Sequence, residues 1–191
     1  MVEAPLPPVA APDGGAGAAS PAPLSRVQQA WQVLEGVMDP EVPAVSVRDL
    51  GIVREVRLAG AVLEVVLTPT YSGCPATEAI EADVLAALEA AGLGPAQVTL
   101  QRAPAWTTDW ITPQGRERLR AYGIVPPGPV PAGTEVPLRF MPRAGAAAPA
   151  LECPHCGSAR TERLSAFGST ACKSLYRCLA CREPFEHFKP L

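Results

Sequence analysis

The chain has 191 residues, a formal net charge of −3 and an isoelectric point near 5.4, enough length for one domain with a small appendage, and an acidic balance that argues against nucleic acid as the main partner. No apolar run approaches the ~18 residues of a membrane helix, and the N-terminus lacks the basic start and apolar core of a secretory leader. Alanine inflates the 48% hydrophobic fraction and aromatics are only 5%, so any core is modest.

Residues 1–23 are mostly Ala, Pro and Gly, too poor in large side chains to offset the entropy of ordering, and read as a disordered tail. Ser25-Arg26-Val27-Gln28 then has the form of a capping box. Val27, Ala30, Trp31, Leu34, Val37 and Met38 follow on one helical face, and the helix is expected to stop at Asp39-Pro40-Glu41-Val42-Pro43, where two prolines forbid continuation. Val45–Val47, a turn at Asp49-Leu50-Gly51 and a strand over Ile52–Leu58 come next. Ala59-Gly60 closes a hairpin onto Ala61–Leu67, where β-branched residues dominate.

Thr68-Pro69-Thr70-Tyr71-Ser72-Gly73-Cys74-Pro75-Ala76-Thr77-Glu78 leaves that strand and enters a helix marked by Ala76, Ala79, Ile80, Val84, Ala87, Leu88 and Ala91, with Gly92 at its C-cap. Pro75 suits the first helical position, so Cys74 is expected at or beside the N-cap. There the free N–H groups and the helix dipole would stabilise a thiolate, with Glu78 opposing. Spacing alone leaves two readings open for Cys74, a buried small hydrophobe or a reactive thiol; the glycine-containing loop, which has no evident packing purpose, favours the second as much as the first.

Val98-Thr99-Leu100 adds a further strand. The order helix, strands, helix, strand predicts an α+β domain over residues 24–125, a small sheet covered by helices. Its last part holds Trp106-Thr107-Thr108-Asp109-Trp110 and a helix from Thr112-Pro113 to Tyr122, on which Arg116, Arg118 and Arg120 form a basic face that is either solvated or docks an acidic partner or a phosphate-bearing group. Residues 126–150 read as a Pro/Gly/Ala-rich linker, interrupted by the apolar Val136-Pro137-Leu138-Arg139-Phe140.

Residues 151–191 read as a separate β module. Cys153-Pro154-His155-Cys156 and Cys178-Leu179-Ala180-Cys181 are two knuckles flanking a hairpin, and four thiolates at this spacing can close a tetrahedral site for zinc, with iron the minority option. Such paired cysteines belong to a reducing compartment, hence a cytoplasmic protein. Cys172 lies outside the knuckles, as either a buried hairpin residue or a second reactive thiol beside Lys173. His155 and His187 are expected to be exposed bystanders, since four cysteines complete the site.

The Asp39–Pro43 run, the Asp49–Val53 turn, the Thr68–Glu78 loop, Trp106–Ile111 and Leu119–Ile124 resemble the small iron–sulfur assembly family that includes SufT. With Phe167-Gly168-Ser169-Thr170-Ala171-Cys172-Lys173 added, the chain from about residue 25 onward resembles the PaaD (PaaJ) type of accessory protein of phenylacetyl-CoA epoxidase systems. The resemblance implies a role in aerobic phenylacetate breakdown, helping to mature an iron or iron–sulfur centre of the oxygenase or reductase subunit. It implies that the Cys-Pro loop cysteine, Cys74, is the functional position and the cofactor-binding candidate, with Asp39 its neighbour. A single Cys74 cannot hold a cluster alone; a bridging homodimer, or help from Asp39 or Cys172, would be required. The alternative is a non-catalytic scaffold of the oxygenase, docking through the zinc ribbon. A thiol enzyme has no base to nominate near Cys74, and the chain reads as accessory to a ring-epoxidising monooxygenase rather than as a catalyst.

Overall fold

The computed structural model describes residues 24–71, 73–128 and 151–190. The expected tail over residues 1–23 and most of the expected linker, its apolar run at 136–140 included, lie outside the described residues.

Helix α1 (Arg26–Leu34) opens with the expected capping box: the Ser25 hydroxyl accepts the Gln28 N–H and the Gln28 side chain accepts the Ser25 N–H. It ends before the prolines, at a Glu35-Gly36 turn. Val37 and Met38 leave the helix extended, because Met38 pairs with Ser46 across a bridge and Val37 O accepts the Val47 N–H. A tertiary partner thus takes these residues from the helix that their spacing suggested.

Strands β1 (Val53–Ala59) and β2 (Val62–Leu67) form the hairpin, and β3 (Ala96–Leu100) adds parallel to β2 after helix α2 (Thr77–Ala90) crosses over. The central strand β2 is buried from Leu63 to Leu67, which explains its nearly continuous apolar run. Ile80, Val84 and Leu88 of α2 and Ala30 and Leu34 of α1 bury their faces in the core.

The Trp-containing segment clamps the Asp49-Leu50-Gly51 turn. Trp106 Nε1 donates to Leu50 O at 3.0 Å, the Arg54 guanidinium lies 3.4 Å from the Trp110 ring centroid, and Asp49 O accepts the Thr112 N–H at 2.9 Å. Helix α3 (Pro113–Ala121), capped by Thr112, follows a short 3-10 turn (Thr108–Trp110). Its arginines do not form one free basic face. Arg116 donates to Pro127 O and Thr108 O, Arg118 pairs with buried Asp49, and Arg120 is exposed.

The second sheet has the order β4-β7-β6-β5, with β4 (Ile124–Val125), β5 (Thr161–Ser165), β6 (Lys173–Cys178) and β7 (Pro184–Phe188). The β5–β6 hairpin is the expected one, but β4 comes from the preceding domain and pairs in parallel with β7. Cys172 and Phe188 belong to the buried cluster that holds Leu34, Leu63 and Val84, whereas Cys153, Tyr176, Cys178 and Phe185 make a small cluster of their own. The protein is mixed α+β, its C-terminal ribbon docked into the main core.

Candidate functional site

The ribbon knuckles are two tight turns. Cys153 O accepts the Gly157 N–H at 2.8 Å and Cys178 O accepts the Arg182 N–H at 3.1 Å, with Gly157 and Arg182 both at positive φ. These turns bring the sulfurs of Cys153, Cys156, Cys178 and Cys181 within 4.8 Å of one another. Two of the Sγ–Sγ separations are 3.7 Å (Cys153–Cys181) and 3.6 Å (Cys156–Cys178). A tetrahedron with zinc–sulfur bonds of about 2.3 Å has edges of about 3.8 Å, so the four thiols fit zinc.

The thiol pKa values of Cys178 and Cys181 are driven apart. The Cys181 and Ala180 N–H groups hold Cys178 down to about 6. Cys181, despite the Glu183 N–H that lowers it, is pushed up to about 12 by burial and the other thiols. His155 is exposed. His187 is not: it is 7% exposed, burial lowers its pKa, and its Nδ1 lies 3.3 Å from Ser174 Oγ. It is buried because β7 is sandwiched between β4 and β6, a pairing that the local sequence does not announce.

The Cys74 loop departs from β2 at Thr68, whose N–H donates to Ile52 O. Cys74 is half-buried and is not the N-cap: Ala76 holds that position without a side-chain hydrogen bond. The cysteine sits in a turn of its own, its N–H donating to Tyr71 O and its carbonyl accepting the Thr77 N–H, both at 3.2 Å. Gly73 precedes it at φ +91°. Pro75 therefore lies outside the helix, and the helix dipole acts on Cys74 from a greater distance than its spacing suggested.

Tyr71 in this turn lies within electrostatic reach of groups from two other segments. Burial raises the pKa of the Tyr71 phenol first, and the charges of Cys74, Glu41 and Cys172 raise it further. Asp39, 6% exposed, spends Oδ1 on its own loop, accepting the N–H of Glu41 at 2.9 Å and of Val42 at 2.8 Å. Burial raises its pKa, against those two N–H groups and the charge of Lys173. Glu41 is raised by burial and by Asp39, with Lys173 opposing.

From the ribbon come Cys172 and Lys173. Burial pushes the Cys172 thiol up, while the Thr170 hydroxyl, 3.0 Å from its sulfur, draws it down. Lys173 is only 2% exposed and reaches Glu186 Oε2 at 2.9 Å. Burial would raise Glu186, but the Ser169 N–H and Lys173 hold it below the usual carboxylate range. A buried ammonium thus pairs with Glu186 within the ribbon, and its charge also reaches Asp39 and Glu41 of the Asp-Pro-Glu loop. The placement of Tyr71, Glu41 and Lys173 in this group was not read from the sequence; for Lys173, the motif Phe167–Lys173 was the available signal.

Comparison with known proteins follows this division. Residues 27–100 match a family model described as iron-sulfur cluster assembly protein, and residues 140–189 one described as PaaD zinc beta ribbon domain. The chain is 47% identical over 164 residues, 86% of its length and 93% of the relative's, to an Escherichia coli (strain K12) protein provisionally named as a subunit of 1,2-phenylacetyl-CoA epoxidase. Among solved structures, a domain of unknown function from Bacillus anthracis is 25% identical, covering 49% of this chain and 91% of that one with a TM-score of 0.45. A Mycobacterium tuberculosis protein described as associated with Fe-S complex assembly and repair is 32% identical, covering 57% and 96% with a TM-score of 0.33.

Proposed function

The chain belongs to the PaaD family of phenylacetyl-CoA epoxidase subunits, and from that membership we propose that it matures or maintains an iron or iron–sulfur centre of the epoxidase through Cys74. Its role in phenylacetate degradation is accessory. Its partners on this reading are the oxygenase and reductase subunits, and the iron or cluster is cargo. Zinc, held by Cys153, Cys156, Cys178 and Cys181, is structural.

One observation carries the reading: Cys74 is a half-buried thiol outside the four-cysteine group, in a turn where its neighbours Gly73 and Pro75 are exposed. The zinc cage fills all four positions of its metal and offers a cargo nothing to bind. Cys74 has no such commitment, and a thiolate is a soft ligand that binds iron and exchanges with other sulfur ligands.

Cys74→Ser tests this. Cys74 does not cap the helix, so the substitution removes a thiol and little else, and the ribbon keeps its zinc. A strain carrying it is expected to grow poorly on phenylacetate, with its epoxidase purified short of iron although the variant is folded and zinc-loaded. Growth equal to wild type with fully metallated oxygenase and reductase would leave the non-catalytic scaffold as the function.

A further inference from the structure

We propose that the cavity beyond the adjacent ends of strands β2 and β3 is a binding site for a carboxylate carried on a short apolar stem. Cys74 does not line this cavity, so the inference stands apart from the reading of that thiol.

The fold makes the cavity by ending two parallel strands together. β2 and β3 stay in register as far as Leu67 opposite Leu100, and the Gln101 N–H still donates to Leu67 O at 2.8 Å. Thr68 and Arg102 lie just past those ends and border one cavity of about 130 Å³. Space outside the carboxyl ends of parallel strands is where open α/β sheets bind their ligands. Trp106, held by its bond to Leu50 O at 3.0 Å, forms one wall.

Two groups at this cavity are uncommitted. Thr68 is 1% exposed, and its hydroxyl is buried with no hydrogen-bond partner among the described residues. A buried polar group in that state is costly until a partner meets it. The Arg102 guanidinium is exposed and enters no ion pair or hydrogen bond among the described residues. Arg54, Arg57, Arg116 and Arg118 of the same domain are, by contrast, each held by an acid, a carbonyl or a ring.

The chemistry of the lining selects the ligand. Its polar side chains are the hydroxyls of Thr68, Thr70 and Tyr71 and the Arg102 guanidinium, and no described carboxylate borders it. All four can donate, and the guanidinium cannot accept. One guanidinium balances one negative charge, and its planar fork matches a carboxylate in two parallel bonds. A phosphate dianion would keep charge uncompensated there. Pro69, Ala105 and the Trp106 ring supply the apolar side against which a short alkyl stem packs. Such a group is offered by a small carboxylic acid or by an aspartate or glutamate side chain of a partner.

The test is a heteronuclear NMR titration of the zinc-loaded full chain with propionate, read at the Trp106 indole N–H and the Thr68 amide. Saturable binding in the millimolar range is expected, as befits so small a ligand. Neutral propionamide and inorganic phosphate should bind at least about tenfold more weakly, and Arg102→Gln should lower propionate affinity by at least about tenfold. Thr68→Val should lower it by at least about threefold. The melting temperature of that variant should hold or rise in the free protein, because a hydroxyl without a partner has been removed. A glutamate acetylated at its amine and amidated at its backbone carboxyl separates the two sources. Affinity equal to that of propionate or better assigns the site to a partner's side chain, and no binding assigns it to a free acid. The absence of saturable shifts, equal affinity for propionamide or phosphate, or wild-type affinity in Arg102→Gln overturns the site. A Thr68→Val protein that melts below wild type does so too, since its hydroxyl would then be satisfied within the fold.

Discussion

At the scale of single residues, the candidate site is shaped by carboxylates kept from water. Asp39 shapes its loop through Oδ1, yet burial outweighs its two N–H donors and Lys173, so its pKa stands above the ordinary 3.8. The sign follows by linkage. A folded value above the unfolded one means that Asp39 adds stability below the unfolded pKa and that this contribution is lost as pH rises through the raised folded value. Asp39→Asn keeps an oxygen acceptor for Glu41 and Val42 while removing the charge. It is expected to stabilise the protein at neutral pH, the advantage fading as pH falls through the raised folded value of Asp39. Denaturant titrations across that range check it; equal stability of the two proteins at every pH would contradict the burial argument.

Among the elements, the most constrained is the Asp49-Leu50-Gly51 turn. Gly51 has φ +68°, and a Cβ there would stand 2.5 Å from Trp110 O and 2.7 Å from Trp110 Cβ. Gly115 on α3 faces the same turn from the other side, a Cβ there meeting Asp49 O at 2.8 Å. The Trp segment can close over the turn only because both positions lack a side chain. Gly51→Ala combines left-handed strain with a backbone clash and is expected to cost about 2–3 kcal/mol, read as a lower denaturation midpoint with a red-shifted tryptophan emission as Trp110 is displaced. An unchanged midpoint would mean that the segment yields without resistance. The arginines of α3 belong to this clamp: Arg116 and Arg118 are held by Thr108, Pro127 and Asp49, so charge reversal there would damage the fold before it informed on docking.

For the whole molecule, the decisive feature is the continuity of the two modules. Phe188 packs against Trp106 with ring centroids 6.0 Å apart and planes tilted by 45°, β4 joins the ribbon sheet, and buried Lys173, paired with Glu186 of the ribbon, acts electrostatically on Asp39 of the other module. Metal loss should therefore not stay local. Removing zinc with a chelator, or by Cys178→Ser, is expected to release about one zinc per chain, change the tryptophan emission and lower the melting temperature of the whole protein. The emission change should be absent in a Trp106→Phe background. Zinc release with unaltered emission and melting would show a ribbon that unfolds alone. No described helix is long and apolar enough to cross a membrane.

Local order was legible in the chain because its signals are local. The Ser25–Gln28 capping box, the β1–β2 hairpin, the Gly92 helix end and the knuckle spacing each depend on residues a few positions apart, where propensity and turn chemistry act. What failed was also systematic. Val37 and Met38 leave their helix for a bridge to the Val45–Val47 stretch, Cys74 moves off the helix start into a turn of its own, and His187 is buried by a strand from another domain. Each is decided by a partner distant in sequence, whose pairing outweighs local preference by burying more surface and satisfying more backbone groups. The same holds for the site. Cys74, Asp39 and Cys172 could be named as separate candidates, but that Asp39 and Cys172 are buried and Cys74 only half-buried is settled by the assembled core, because burial is a property of that core rather than of any one segment.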